Sequence, residues 1–391
     1  MTLLLLALLA ARFEPHEAGR LAGERIAGAA VSENLLLTWG DRLLEWTLPA
    51  GRPEVLRGAG PELGPGGAVT DVDGDGYADL VLNEQEPPAL VWFRAGAWTR
   101  GVIDTGVRAP DLIPAVLHGR RGVVLVHQEK QVRFYETPAD PARRWPARDL
   151  YSFYSHSGQG GLLLEDVNGD GLADILCGNY WIESPASFDL AWRLHAIHLW
   201  NQTTQSALLE LHWTGSRLLA AQRALTPGRL AWFEKPRNPR APWRERLLSA
   251  DLDRPGVLQT ADFDGDGREE LLVGETGGAG RLILFRDSDL AERLRPGPKG
   301  APAEPRVSRG TFSEEIGRVR GLRAAFAQDV NQDGRTDLIV VRANGVGWWE
   351  NTGLVSGRAQ QPATVSVLRA GIGGRSPLAA PRGVPSRLQE R

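Results

Sequence analysis

The sequence predicts an all-β fold, a seven-bladed β-propeller of four-stranded blades with cation-binding loops in four of them. Three observations carry that expectation. The pattern D-x-[DN]-x-D-G-x-x-[DE] occurs four times in 391 residues. Each copy is followed by short β-branched and aromatic runs, separated by Gly, Asn, Pro and Asp turns, which read as strands. An aromatic or acidic tag recurs in step with these runs.

The repeat overrides the two or three domains that the length alone would suggest. In one unit, residues 67–71 lead into a loop, followed by runs at 78–83, 90–94 and 98–104. Another has the same order at 162–165, 173–177, 180–183 and 192–197. Four strands make one propeller blade. The first loop Asp falls at 71, 166, 262 and 329, and the first two gaps are about 95 residues, twice a blade of about 48. Degenerate units fill those gaps. Runs at 114–118, 122–128 and 131–136 have the strands without the acidic loop, as do 208–212, 217–222 and 229–234. His118 and His212 stand where Asp is expected. A further unit, 35–38 and 42–47, opens the chain and brings the count to seven.

The third strand of each unit carries the tag: 44–46, Trp92-Phe93, 134–136, 181–183, 232–234, Leu284-Phe285 and 348–350. Large aromatics at this period are read as filling the wedges between twisted sheets. The excess length between 262 and 329 maps to 291–310, rich in Pro, Gly and Arg, read as an inserted loop. The propeller is placed at 12–370, with 371–391 as a flexible basic tail. Ring closure needs an outer strand for the last blade. Both 363–368 and 12–20 are candidates, and the sequence does not choose.

The four loops are candidate calcium sites. Their ligand positions are Asp71, Asp73, Asp75, Tyr77 and Asp79; Asp166, Asn168, Asp170, Leu172 and Asp174; Asp262, Asp264, Asp266, Arg268 and Glu270; and Asp329, Asn331, Asp333, Arg335 and Asp337. Oxygens at positions one, three and five suit a hard cation that takes six to eight of them. Gly at position six permits the turn. Position seven offers its backbone carbonyl, which leaves Tyr77, Leu172, Arg268 and Arg335 free to vary, and the carboxylate at nine closes the cage. An EF-hand needs Glu at position twelve and flanking helices. Here that position is Leu82, Cys177, Val273 and Val340, within β-type runs, so the EF-hand reading is rejected.

These units resemble FG-GAP/VCBS repeats, the type found in the integrin α-subunit propeller and in many exported bacterial proteins. The resemblance covers Leu35 to Gly353 and is best in the four loops. It implies Ca²⁺ at about four sites and a seven-bladed propeller. The chain departs from the family in three units that lack the loop. The family includes adhesion modules and propellers of carbohydrate-active enzymes, so fold analogy does not choose an activity.

A formal charge of −3 points neither to nucleic acid nor to an acidic tail. Fourteen carboxylates sit in the loops, so the remainder carries a net charge of +11, read as an Arg-rich surface. Cys177 has no partner, so stability rests on packing and metal. Residues 3–11 form an apolar run too short to span a bilayer, with the character of a signal-peptide core at 1–11. A secreted or periplasmic monomer without a membrane span is expected.

The face opposite the loops is the expected ligand face. It collects Glu84, His127, Asn179, Tyr180, Trp181 and Arg223, and the blade connections add Tyr154, His156, Trp200 and Asn201. Aromatics beside amides around a central funnel suit a sugar or a peptide. Trp200 lies outside the periodic tag, so exposure for ligand contact is expected of it. No nucleophile elbow, phosphate loop or His pair is present. Two functions stay open: an extracellular binding or adhesion module for carbohydrate or protein, and an enzyme of the polysaccharide lyase, hydrolase or sugar dehydratase kind.

Overall fold

Alternating apolar runs and tight turns give seven antiparallel four-stranded sheets and, among the described residues, no helix. The structure, a computed structural model, describes residues 12–32, 35–49, 51–154, 160–198, 200, 209–214, 217–267, 269–285 and 313–353. The segments at 1–11, 291–310, 363–368 and 371–391 singled out above lie outside these.

Strand β1 (Phe13–Arg20) precedes the first blade, which is β2 (Ile26–Ser32), β3 (Leu35–Gly40), β4 (Leu43–Trp46) and β5 (Glu54–Arg57). The second is β6 (Leu63–Thr70), β7 (Asp79–Gln85), β8 (Pro88–Arg94) and β9 (Thr99–Thr105). The third is β10 (Leu112–Leu117), β11 (Arg120–His127), β12 (Gln131–Glu136) and β13 (Ala147–Ser152). The fourth is β14 (Leu162–Glu165), β15 (Asp174–Cys177), β16 (Tyr180–Glu183) and β17 (Arg193–Ala196). The fifth is β18 (Leu209–Trp213), β19 (Arg217–Gln222), β20 (Gly228–Glu234) and β21 (Arg244–Leu252). The sixth is β22 (Pro255–Ala261), β23 (Glu270–Glu275), β24 (Arg281–Phe285) and β25 (Ser313–Arg318). The seventh is β26 (Leu322–Gln328), β27 (Asp337–Arg342) and β28 (Gly345–Asn351), completed by β1.

The first strands of successive blades lie against one another around the whole circuit, β2 to β6, β10, β14, β18, β22, β26 and back to β2. They therefore ring the axis, and the fourth strands form the rim. Closure comes from the N-terminal candidate: β1 pairs antiparallel with β28, Phe13 opposite Asn351 and His16 opposite Trp348.

Seven buried apolar clusters fill the seven blade interfaces. Trp39 lies between blades one and two, Trp92 between two and three, Trp181 between four and five, Trp232 between five and six, and Trp349 between six and seven. Trp46 belongs to the cluster where blade one meets blade seven. The tag aromatics are thus wedge packing. Burying one such ring contributes about 2–3 kcal/mol, and the wedge between neighbouring blades leaves a gap that a smaller side chain would not fill.

Candidate functional site

The four loops turn alike because their own side chains bind their own backbone. The Asp at position one accepts at least two N–H groups. Asp71 takes Gly74 at 2.7 Å and Gly76 at 3.0 Å, Asp166 takes Gly169 at 2.7 Å and Gly171 at 2.9 Å, and Asp262 takes Gly265 at 2.7 Å and Gly267 at 2.9 Å. In the seventh blade Asp329 takes Asp333 at 3.1 Å and Gly334 at 2.9 Å. The acid at five accepts the N–H of seven: Tyr77 to Asp75 at 3.0 Å, Leu172 to Asp170 at 2.8 Å and Arg335 to Asp333 at 3.0 Å. Positions four and six both have positive φ. Position four is Gly in three loops and Gln332, at φ 62°, in the last.

Side-chain oxygens of Asp262, Asp264, Asp266 and Glu270 lie within 4.8 Å of one another, as do those of Asp71, Asp73 and Asp79. That is the donor chemistry a hard divalent cation takes. The Tyr77 side chain is exposed, whereas Arg335 folds back onto Asp333 and donates to the Gly353 carbonyl at 2.9 Å. Arg268 lies outside the described residues.

The carboxylate at position nine is buried in every loop. One of its oxygens accepts the N–H of position two: Val72 to Asp79 at 2.9 Å, Val167 to Asp174 at 3.0 Å, Phe263 to Glu270 at 2.8 Å and Val330 to Asp337 at 3.0 Å. In blades two, four and seven the other accepts an N–H just beyond or at the end of the third strand, from Ala95, Ser184 and Asn351, each at 2.7 Å. Burial pushes these acids up, Asp174 to about 7, Glu270 to about 8 and Asp337 to about 6. The neighbouring loop carboxylates add to the shift, while the backbone N–H bonds oppose it.

Position two is apolar in all four loops, a signal the ligand spacing had hidden. Val72 joins the cluster with Tyr135 and Trp145 of blade three, and Val167 joins Phe233 and Trp243 of blade five. Phe263 meets Trp349 of blade seven and, edge to face at 6.1 Å, Phe13 of the closing strand. The next blade also grips the backbone at two of these positions. Lys235 Nζ donates to the Val167 carbonyl at 2.9 Å, and Asn351 Nδ2 to the Phe263 carbonyl at 2.7 Å. Each loop therefore plugs into the following blade.

The third-strand residue beside the loop matches its charge to position three. Asp73 faces Arg94, with Nε at 2.7 Å. Where position three is Asn, the tag ends in Glu: Asn168 Nδ2 donates to Glu183 and Asn331 Nδ2 to Glu350, each at 3.4 Å. Glu183 also binds Arg240 and, at 2.7 Å, His195, which stacks on Trp181. Glu350 binds His16 at 3.0 Å, which stacks on Trp348.

On the opposite face several expected ligand residues are committed to the fold. Glu84 is fully buried, held by Arg100 Nε at 2.8 Å and Nη2 at 2.6 Å, with Arg57 at 3.7 Å. Trp181 is core, with no exposed surface. Trp200 is core as well, which corrects the expectation of exposure. It packs on Phe233 with centroids at 5.1 Å and donates Nε1–H to Glu245 at 3.2 Å, because the wedge between blades four and five takes its ring. Asn179 is buried and donates to the Trp200 carbonyl at 2.6 Å. His127 is buried and held below the usual imidazole range, first by burial and then by Arg133. Tyr180 is half-buried against Phe153, Tyr154 is fully exposed, and Arg223 approaches Glu210 at 3.8 Å. His156 and Asn201 lie outside the described residues.

The fold defines the class, a seven-bladed β-propeller. No known family profile matches the chain, and no curated protein matches it. Among solved structures it is similar to YCF48 from Cyanidioschyzon merolae, at 12% identity and a TM-score of 0.46, over 87% of this chain and 98% of that one. It is similar also to the computationally designed Ika8 protein, at 12% identity and a TM-score of 0.45, over 86% and 99%. At those values neither likeness bears on function.

Proposed function

We propose that this chain is an exported FG-GAP/VCBS-type propeller, stapled by calcium in blades two, four, six and seven, that serves as a binding module for carbohydrate or protein. The observation that carries the reading is the loop turned the same way four times around a buried acid at position nine, which in blades two, four and seven also ties the loop to the third strand. Packing three or four carboxylates into nine residues costs free energy that a divalent cation offsets. The apolar run at 3–11 supports export. The ligand face is the one opposite the loops, where Tyr154, Tyr180 and Arg223 retain exposed surface.

Extracellular sites of this ligand type bind at about 10⁻⁴ to 10⁻³ M, and a cation at 100 times its dissociation constant adds about 2.7 kcal/mol per site. Chelation is expected to lower the melting temperature, and elemental analysis to find calcium. Asp170→Ala removes one site from a calcium titration, whereas Tyr77→Ala removes none. A glycan and peptide array probed with and without Ca²⁺ tests the ligand half. A melting curve indifferent to chelator, with no bound metal, overturns the calcium half.

A further inference from the structure

At the start of the axial strands, on the face opposite the loops, arginines gather from consecutive blades. Arg254 directly precedes β22, Arg323 is the second residue of β26, and Arg25 directly precedes β2. Since β26 lies between β22 and β2 around the axis, the three stand side by side at one level of the ring. Arg223 extends the arc: its Cγ lies 3.5 Å from where a Cβ on Gly256 would be, at the start of β22.

Arg323 is the odd member. The pairing of β26 with β27 slips between Leu322 and Ala324, so Arg323 is the bulged residue. The same slip occurs at Ala27 in β2 and at Gly256 in β22, both small. Only in β26, of these three, does the bulge carry a long cation. Each flanking arginine has a carboxylate: Arg254 has Asp253 at 3.6 Å, Arg223 has Glu210 at 3.8 Å, and Arg25 has Glu62. Arg323 is exposed and, among the described residues, makes no hydrogen bond or ion pair; the charges acting on it are Arg25 and Arg254. Partial desolvation and these two cations hold its guanidinium below the usual range. Of the other acids on this face, Glu84 and Glu275 are saturated by Arg100 and Arg281, and Asp41 accepts the Arg25 backbone N–H at 2.8 Å.

We propose that Arg323, flanked by Arg254 and Arg25, binds an oxyanion, the carboxylate or phosphate of a ligand, at the axial mouth opposite the calcium loops. A guanidinium presents a planar fork that matches two oxygens of such a group. A carboxylate or phosphate supplies the counter-charge that the protein leaves out. The site deepens the binding-module reading by giving its ligand an acidic group, and it needs no calcium, so either idea can fail alone.

The test is calorimetric titration of the full chain at low ionic strength with three probes: inorganic phosphate, acetate and a galacturonate oligomer, with a neutral oligosaccharide as control. Saturable binding of at least one anion is expected, weakened about tenfold by Arg323→Gln and weakened also by Arg254→Gln. Preference among the probes separates a free phosphate from a carboxylate-bearing ligand. Without anion, Arg323→Gln is expected to melt at or above the parent temperature, because it removes a cation with no partner. No saturable binding of any anion, unchanged binding in Arg323→Gln, or a lower melting temperature without anion would each overturn the proposal.

Discussion

Replacing Phe263 with Ala tests whether the loops act as inter-blade plugs. The ring is buried in the cluster between blades six and seven, with an edge-to-face contact to Phe13 at 6.1 Å. Truncating a buried Phe to Ala costs about 3–5 kcal/mol, of which the ring–ring contact accounts for about 1 kcal/mol. Urea denaturation of the parent, Phe263→Ala, Phe13→Ala and the double variant yields both quantities. The Phe263 amide donates to Glu270 and its carbonyl accepts from Asn351. Loosening the plug should therefore also reduce the stabilisation proposed for calcium. A Phe263→Ala cost under about 1 kcal/mol, or strictly additive effects of the two substitutions, would refute the coupling of loop to following blade.

Three further outcomes are expected. Trp200→Ala should lower stability by about 3–5 kcal/mol in a urea titration, since Trp200 is core; a variant as stable as the parent would contradict that placement. His198 is buried against Phe233, and burial lowers its pKa from 6.5 to about 3. The unfolded chain takes up that proton first, so stability is present above 6.5 and is lost toward about 3, by about 1.4 kcal/mol per pH unit. His198→Phe should flatten this acid limb of the melting profile, and an unchanged limb would assign it elsewhere. Gln332→Gly relieves a non-glycine residue at positive φ and should stabilise by about 1 kcal/mol; a lower melting temperature would show that the Gln332 side chain has a role of its own.

The blades were legible because strand length, turn residues and loop spacing are local. Strands β12, β14, β16 and β19 fall where the sequence placed them, and most others differ by one to three residues at an end. What escaped was set by distant partners. Nothing within 12–20 shows that it pairs with β28, more than 300 residues away. Glu84 reads as a polar strand end until Arg100 and Arg57 close on it from the outer strand of its own blade and from the preceding blade. Trp200 stands outside the tag period, yet period reports only on strands, and a connection can bury a ring as well. The apolar position two and the pairing of Asn168 with Glu183 were visible in the letters. Their meaning depended on knowing which blade comes next.

Because β1 meets β28 only through backbone hydrogen bonds and side-chain contacts, the ring is latched rather than covalently sealed. A chain cut between Arg20 and Ile26 keeps the latch in place. A chain lacking residues 12–20 instead bares the β28 edge, with Trp348 losing the His16 ring stacked 4.5 Å above it. Such an edge pairs with whatever extended strand it meets, including that of another copy. The same property makes the molecule a natural split system, in which a peptide spanning residues 12–20, supplied in trans, restores the seventh blade.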